Sequence, residues 1–480
     1  MTVQNYVKHR KWSVVAAIVG LLVVTGITLF LREFPASPYV QLWVSSEDGK
    51  YRLTRFEDIK AKSIKTTPTD GSQLDYVIYI DPAITYQTIL GFGSSLEHSS
   101  CYNLYRLDPT TRERVMRRVF DPKSGIGMNL MRICIGTPDF TPENWYTYDD
   151  VPEGETDLNL EHFTIEKDKR YIIPILKEAI KINPNLKIFA SPWSPPAWMK
   201  DSKQICGGHI LREYFPVYAK YFVKFIKAYE AEGIPIYAVT IQNEPGFEWI
   251  YPSCKWTWEE ERDFVRDYLG PEFERENIST KIWIFDWNFA FWDWPSKILD
   301  DENAARYIDG VAFHRYAGLP VAMTYLHQRH PNKHVYFTEG YTLGTSGAIQ
   351  IIEYLRNWAS SYNDWVLILD ENAGPNRGPC RGVPSPLMLK ADLTVDYKFE
   401  YYMYGHFSKF IPRGSVRIYS TPGDYSFSNV AFRTPEGDVV VVVANASNQS
   451  IRFKMVYGNS AITVAIGPTS VMTLKWRNVD

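Results

Sequence analysis

At 480 residues, with 45% of them hydrophobic, the chain has material for one large domain and a smaller one, and its composition excludes a disordered protein. A net charge of −3 leaves no basic footprint for nucleic acid, and five cysteines are too few to act as a disulfide framework. Aromatic residues reach 15%, a composition that suits the apolar faces of sugars and lipids and also suits a large core.

In chain order, the basic run Lys8-His9-Arg10-Lys11 precedes Trp12–Leu31, "WSVVAAIVGLLVVTGITLFL", which carries no charge. A stretch of that length spans a bilayer, and the basic flank favours a cytoplasmic start. Residues 1–11 are therefore expected in the cytoplasm and 12–31 as a transmembrane signal anchor, with the rest lumenal or extracellular. Cleavage of the same segment as a signal peptide is the alternative, giving a secreted or lysosomal protein. Sequons at Asn277, Asn445 and Asn448 fit either placement and suggest a glycoprotein.

From Tyr39 to about Thr85 short β segments are expected, such as Tyr76–Ile80. Strand and helix then alternate. Apolar runs occur at Thr88–Gly93, Met128–Ile135, Leu186–Ser191, Ile236–Ile241, Lys281–Asp286, Gly310–His314, His334–Thr338 and Asp364–Leu369. Helical periodicity lies between most of them, at Arg170–Ile182, Tyr214–Glu232, Glu259–Leu269 and Ile349–Ala359. Eight such units predict a (β/α)8 TIM barrel over residues 86–404. Beyond about Gly405 the pattern returns to strands, at Gly437–Ala444, Ile451–Tyr457 and Val471–Trp476. These and the early strands suggest one all-β sandwich built from both termini, residues 39–85 and 405–480.

Catalytic groups of such a barrel gather at the carboxyl ends of its strands. Those ends carry Arg132 with Asp139 just beyond, Trp193, Asn243-Glu244, His314-Arg315-Tyr316, Glu339 and Trp365. Glu244 and Glu339 both stand where a strand stops, in "TIQNEPG" and "YFTEG". A single glutamate there is as readily a solvated or capping group. Two at opposed strand ends, one preceded by asparagine, fit glycoside hydrolysis, which needs one protonated carboxyl and one ionised carboxylate about 5–5.5 Å away in the retaining form. Arg132 and Tyr316 could serve the ionised partner, and Asn243 a sugar 2-hydroxyl. Trp193 suits a core position or a wall for a sugar ring, and Asp139 a turn cap or a sugar hydroxyl. His327, His330 and His334 lack a carboxylate pair and read as surface residues, so no metal is expected.

Several segments, "QTILGFG", "GIGMNLMRI", "DFTPENWYTYDD", "ASPWSPPAWMK", "AVTIQNEPG", "RDFVRDYLGP", "GPN" and "GHFSKFIPRGS", together resemble the acid glucosylceramidases of glycoside hydrolase family 30. The resemblance runs from Gln87 almost to the C-terminus. It implies Glu244 as acid/base and Glu339 as nucleophile, with Asp139, Trp193, Asn243, Trp365 and Asn376 around a glucose, Tyr251 near the mouth, and Arg132, His314 and Tyr316 supporting. It implies a retaining β-glucosidase acting on glucosylceramide with no cofactor, and the apolar N-terminal segment adds the expectation of a tether to the membrane that holds its substrate. Another β-glycoside, a steryl glucoside or β-glucan, is the alternative, and a non-catalytic carbohydrate-binding barrel a further one. The chain departs from the family at Glu97-His98, where Thr-Asp is usual, and at Arg315 and Arg377, where aromatic residues are usual.

Overall fold

The structure, a computed structural model, describes residues 39–63 and 74–477. The expected cytoplasmic and membrane segments, 1–31, lie outside the described residues. Among the described residues, no helix is long and apolar enough to cross a membrane.

Strands β1 (Tyr39–Ser46), β2 (Thr54–Lys60), β3 (Lys62–Ser63) and β4 (Tyr76–Thr88) open the chain. Eight strands then alternate with helices: β5 (Gly91–Ser94), β6 (Leu130–Ile135), β7 (Lys187–Pro192), β8 (Ile236–Thr240), β9 (Lys281–Asn288), β10 (Ile308–His314), β11 (His334–Glu339) and β12 (Ser361–Asp364). They form one parallel sheet in the order β5-β12-β11-β10-β9-β8-β7-β6. Its ends meet through a parallel bridge between Ser95 and Arg132, with Leu96 N–H donating to the Arg132 carbonyl at 2.8 Å. The sheet is thus a closed barrel.

The inside of the barrel is built in layers, because residues two apart on a strand face the same way. Leu130, Phe189, Ala238, Trp283, Ala312 and Tyr336 fill the lower layer with apolar side chains, and Trp283 stacks on Tyr336 at 4.0 Å. Two residues further on β6, β7, β8, β10 and β11 stand Arg132, Ser191, Thr240, His314 and Thr338, all buried and all polar. On β9 the step is three residues, from Trp283 to Asp286. The extra residue is a bulge, where pairing with β10 jumps from Phe285 to Trp287 and both Phe285 (φ 79°) and Asp286 (φ 51°) take left-handed backbone angles. The bulge lets Asp286 join the polar layer.

The last barrel strand differs from expectation. The apolar run Asp364–Leu369 contributes only Asp364 to the barrel, whose strand is Ser361–Asp364. Three of those four residues are polar yet all four are buried, Asn363 donating to the Leu130 carbonyl at 2.7 Å, so no apolar run marks them. The apolar stretch instead leaves the barrel, ending in β13 (Ile368–Asp370), which pairs with β14 (Leu387–Leu389) and then β15 (Val395–Tyr397) in a small separate sheet.

Helix Phe399–Ser408 then leads to β16 (Val416–Ser420), β17 (Phe427–Arg433), β18 (Asp438–Asn445), β19 (Ile451–Tyr457), β20 (Ser460–Ile466) and β21 (Ser470–Arg477). They join the early strands in a ten-stranded sheet, order β2-β1-β21-β18-β17-β16-β4-β19-β20-β3, around its own apolar core. Barrel and β domain are pinned together by polar contacts. Arg356 donates to the carbonyls of Ser420 and Asn429 at 2.9 and 3.0 Å, and buried His406 bridges Ser45 and Thr473 at 2.9 and 2.8 Å.

Candidate active site

At the carboxyl end of the barrel the polar layer becomes a charge network. Asp286 is fully buried and accepts from Arg132 (2.7 Å), His314 Nε2 (3.0 Å) and the hydroxyls of Ser191 (2.8 Å), Thr240 (2.8 Å) and Thr338 (2.7 Å). Burial alone would raise its pKa, but Arg132 and His314 hold it far below the usual carboxylate range. Arg132, also fully buried, donates from Nη1 to Glu339 Oε2 and, from the same Nη2 that reaches Asp286, to Asn243 Oδ1 at 2.8 Å. Its guanidinium lies 4.8 Å from the Trp193 ring, which itself stacks on Trp365 at 5.3 Å.

The two glutamates sit in unlike surroundings. Glu339 ends β11 and receives Arg132 on one oxygen and the Tyr316 hydroxyl (2.8 Å) on the other. Glu244 lies past the end of β8 on a loop with left-handed backbone (φ 50°), held by its N–H donating to the Asp286 carbonyl at 3.0 Å. Burial raises the Glu244 pKa and the Glu339 charge adds to that, with His314 opposing. His314 Nδ1 lies 3.1 Å from Glu244 Oε1 and 3.8 Å from Glu339 Oε1. Burial would lower the His314 pKa, but Glu339 and Asp286 outweigh it and raise the value to about 9. As an imidazolium, His314 donates from both ring nitrogens, which leaves a Glu244 proton to its second oxygen.

One oxygen each of Glu244 and Glu339 and a His314 nitrogen lie within 4.8 Å of one another. The trio has the spacing of metal ligands. A protonated imidazole has no free lone pair, and Arg132 already holds Glu339, so the chemistry of the set suits proton transfer better than metal binding. The facing oxygens of the two carboxyls are closer than the ~6.5–9.5 Å that an inverting glycosidase needs for an intervening water, which favours the retaining arrangement. They face a cavity of about 580 Å³ lined by Asp139, Trp193, Asn243, Tyr251, Tyr316 and Trp365 among others. Asp139 is buried, and burial, then the charge of Glu339, raises its pKa to about 7.

Residues 89–411 match the glycosyl hydrolase family 30 TIM-barrel domain, and residues 414–474 the β sandwich domain of the same family. The chain belongs to glycosyl hydrolase family 30. Within that family it is 30% identical to an endo-1,6-β-D-glucanase of Neurospora crassa, covering 88% of this chain and 94% of the relative. It is 29% identical to the lysosomal acid glucosylceramidase of Mus musculus, covering 89% of each. A solved endo-β1,6-glucanase superposes with a TM-score of 0.83 at 32% identity, over 92% of this chain and 99% of that one. Family 30 membership makes the chain a glycoside hydrolase, and its relatives act on more than one β-glucoside.

Of the sequence-derived candidates expected around the glucose, Asn376 stands apart from the rest. Asn376 does not line the cavity. Its carboxamide is engaged by its own loop, donating to the Cys380 carbonyl (2.5 Å) and accepting from Gly378 N–H (2.7 Å). Arg377 likewise stays off the cavity wall, where Cys380 and Arg381 stand instead. Sequence reasoning missed Asp286, although it closes the apolar run Lys281–Asp286 much as Glu339 closes its own. It also missed Trp287, Asn288 and Phe291, which line the cavity just past it.

Proposed function

We propose that the protein is a retaining β-glucosidase that hydrolyses glucosylceramide to glucose and ceramide. The opposed carboxyls of Glu244 and Glu339, one with a raised pKa and one held by cation and phenol, carry this reading. Glu244 protonates the departing glycosidic oxygen while Glu339 attacks the anomeric carbon, forming a covalent glucosyl ester. Water then attacks that carbon, giving its proton to Glu244, and Glu339 leaves. Trp193 and Trp365 wall the glucose, and Asn243, fixed by Arg132, meets the 2-hydroxyl. The sequence resemblance and the mouse relative favour ceramide as the aglycone. So does the mouth, where Trp249, Ile250, Leu319 and Leu343 are exposed on loops that follow three barrel strands. A tether at residues 12–31, with the barrel lumenal or extracellular, would hold the enzyme at its substrate's membrane.

A β-1,6-glucan is the second reading, favoured by the fungal relative and the solved glucanase. Assay of purified protein on glucosylceramide, a steryl glucoside and gentio-oligosaccharides separates the two. A mechanism-based cyclitol epoxide is expected to label Glu339 covalently; binding without labelling would point to a non-catalytic sugar-binding barrel. Glu339→Gln should abolish turnover of every glycoside. Glu244→Gln should slow natural substrates by about 10²–10⁴-fold yet spare the first step on activated leaving groups, which need little protonation. Equal loss on both substrate types would refute the division of labour between the two glutamates. The tether reading fails if full activity is found in a soluble fraction lacking the first 31 residues.

A further inference from the structure

The bulge on β9 delivers more than Asp286. Neighbours on a regular strand face opposite sides, yet Asp286 is in the buried charge network and Trp287 lines the substrate cavity. The two consecutive left-handed residues, Phe285 and Asp286, make that possible. Buried Glu261 holds the bulge, one oxygen accepting Phe285 N–H at 2.7 Å and the other Trp294 Nε1–H at 2.8 Å. Trp294 in turn meets Trp287 edge-on at 5.9 Å. Trp287 is therefore braced from behind. In front it stacks nearly parallel on Phe291, with ring centroids 4.1 Å apart and an interplanar angle of 13°. Phe291 is 39% exposed and also lines the cavity.

The location of this slab gives it a role. The Trp287 ring fits directly against Gly246, two residues after Glu244: a Cβ on Gly246 would lie 2.1 Å from two ring carbons. The same bulge supplies the carbonyl that holds the Glu244 backbone. Slab and acid therefore hang from one element, while the glucose walls Trp193 and Trp365 come from different ones, just past β7 and β12, around Arg132. A general acid donates to the leaving oxygen, so what lies on its side of that oxygen is the leaving group.

We infer that Trp287 and Phe291 form the leaving-group platform, a flat aromatic surface that stacks against the C–H-rich face of whatever glucose is attached to. This rests on Glu244 being the acid, and two sources share that chemistry: the second ring of a β-glucan, or the sphingoid backbone of ceramide.

The test compares β-glucosyl fluoride, whose leaving group is one atom, with gentiobiose and short-chain glucosylceramide in detergent. Phe291→Ala should lower kcat/KM on the extended substrate, relative to the fluoride, by about tenfold, mainly through KM. Phe291→Trp should restore it. An equal loss on fluoride and extended substrates overturns the platform. Whichever extended substrate the wild type hydrolyses identifies the source, so failure on glucosylceramide alone sinks the proposed substrate and leaves the platform standing. No wild-type turnover of the fluoride would sink both. A second measurement avoids the first chemical step. Enzyme trapped as the 2-deoxy-2-fluoroglucosyl ester on Glu339 is reactivated when an acceptor hydroxyl attacks the anomeric carbon, releasing Glu339 and passing its proton to Glu244. Acceptor should speed reactivation in the wild type and lose most of that effect in Phe291→Ala; undiminished acceleration in the variant overturns the proposal.

Discussion

Two buried groups outside the attacking pair, Glu97 and His314, tie this fold to pH. Glu97 caps the helix His98–Tyr105, accepting Ser100 N–H at 2.8 Å, and burial pushes its pKa up to about 8. His314 is raised to about 9. In the unfolded chain these groups titrate near 4.5 and 6.5, so from pH 7 to 9 the folded state holds protons that the unfolded state has released. Stability must then fall as pH rises through that window, by roughly 1.4 kcal/mol per pH unit for each group still holding its extra proton. His98 and His406, both lowered to about 3, are neutral in either state above pH 7 and do not oppose the trend. Thermal unfolding should show Tm dropping from pH 7 to 9. Glu97→Gln, which keeps an oxygen to cap the helix, should flatten the slope and raise Tm at pH 9 relative to the wild type, with little change at pH 5; a Tm that climbs with alkali would contradict the assignment. At this scale the sequence was readable where chemistry and position coincide. Glu339 ends an apolar strand and Glu244 follows one, while Asp286 closes an apolar run within β9 and its meaning appears only once Arg132 and His314 are seen to converge on it. Glu97 could not be read as a titrating group, since nothing local to it signals burial. Asn376 carried a family motif, but its carboxamide is captured by the adjacent turn.

At the scale of elements, the alternation of apolar runs and helical periods was enough to find the barrel, because seven of its strands have apolar stretches of the expected length. It failed where stabilising partners come from far along the chain. Strand β12 is polar and held by barrel neighbours. The helix expected at Ile349–Ala359 begins at Gly344, because Glu47 from the β domain accepts Thr345 N–H (2.6 Å) and Glu400 accepts Gly344 N–H (3.0 Å). The glycines in Gly344-Thr-Ser-Gly347 look like a turn without those caps. Closure of the barrel rests on a different glycine. A Cβ on Gly93 would lie 1.7 Å from the Leu130 carbonyl oxygen and 2.7 Å from its carbon, both backbone atoms with no freedom to move aside. The first and second barrel strands meet at this point, close to the bridge that joins Ser95 and Arg132. Gly93→Ala should therefore cost more than the roughly 1–3 kcal/mol of ordinary overpacking and perturb Arg132 with it. Urea unfolding and the activity of whatever folds are the readouts. A variant with wild-type stability would mean the strands can part without loss.

For the whole molecule, the proposed tether requires the barrel to face the lumen or the exterior, and the sequons test that. The three are not equivalent in the folded protein. Asn445 ends β18 fully buried, its amide donating to the carbonyls of Gln449 and Gly467, each at 2.8 Å, while its oxygen takes Ser447 N–H at 2.9 Å. A glycan there cannot coexist with that turn. Asn448 is exposed in the connection from β18 to β19, and Asn277 lies just before β9 begins, at the end of the barrel opposite the catalytic mouth. A sugar at Asn277 therefore lies at the far end of the barrel from the apolar loops around the cavity and leaves the approach to a lipid surface clear. With a lumenal barrel, active protein made in a secretory host should carry glycans at Asn277 and Asn448 and none at Asn445, read by site mapping after enzymatic deglycosylation. Removing the glycan at Asn277 should leave turnover of glucosylceramide in vesicles unchanged. Active, membrane-bound protein bare at both of those sites would place the catalytic domain on the cytoplasmic side. The basic run before Trp12 would then have to lie on the far face, against its charge, and the lumenal tether would be abandoned.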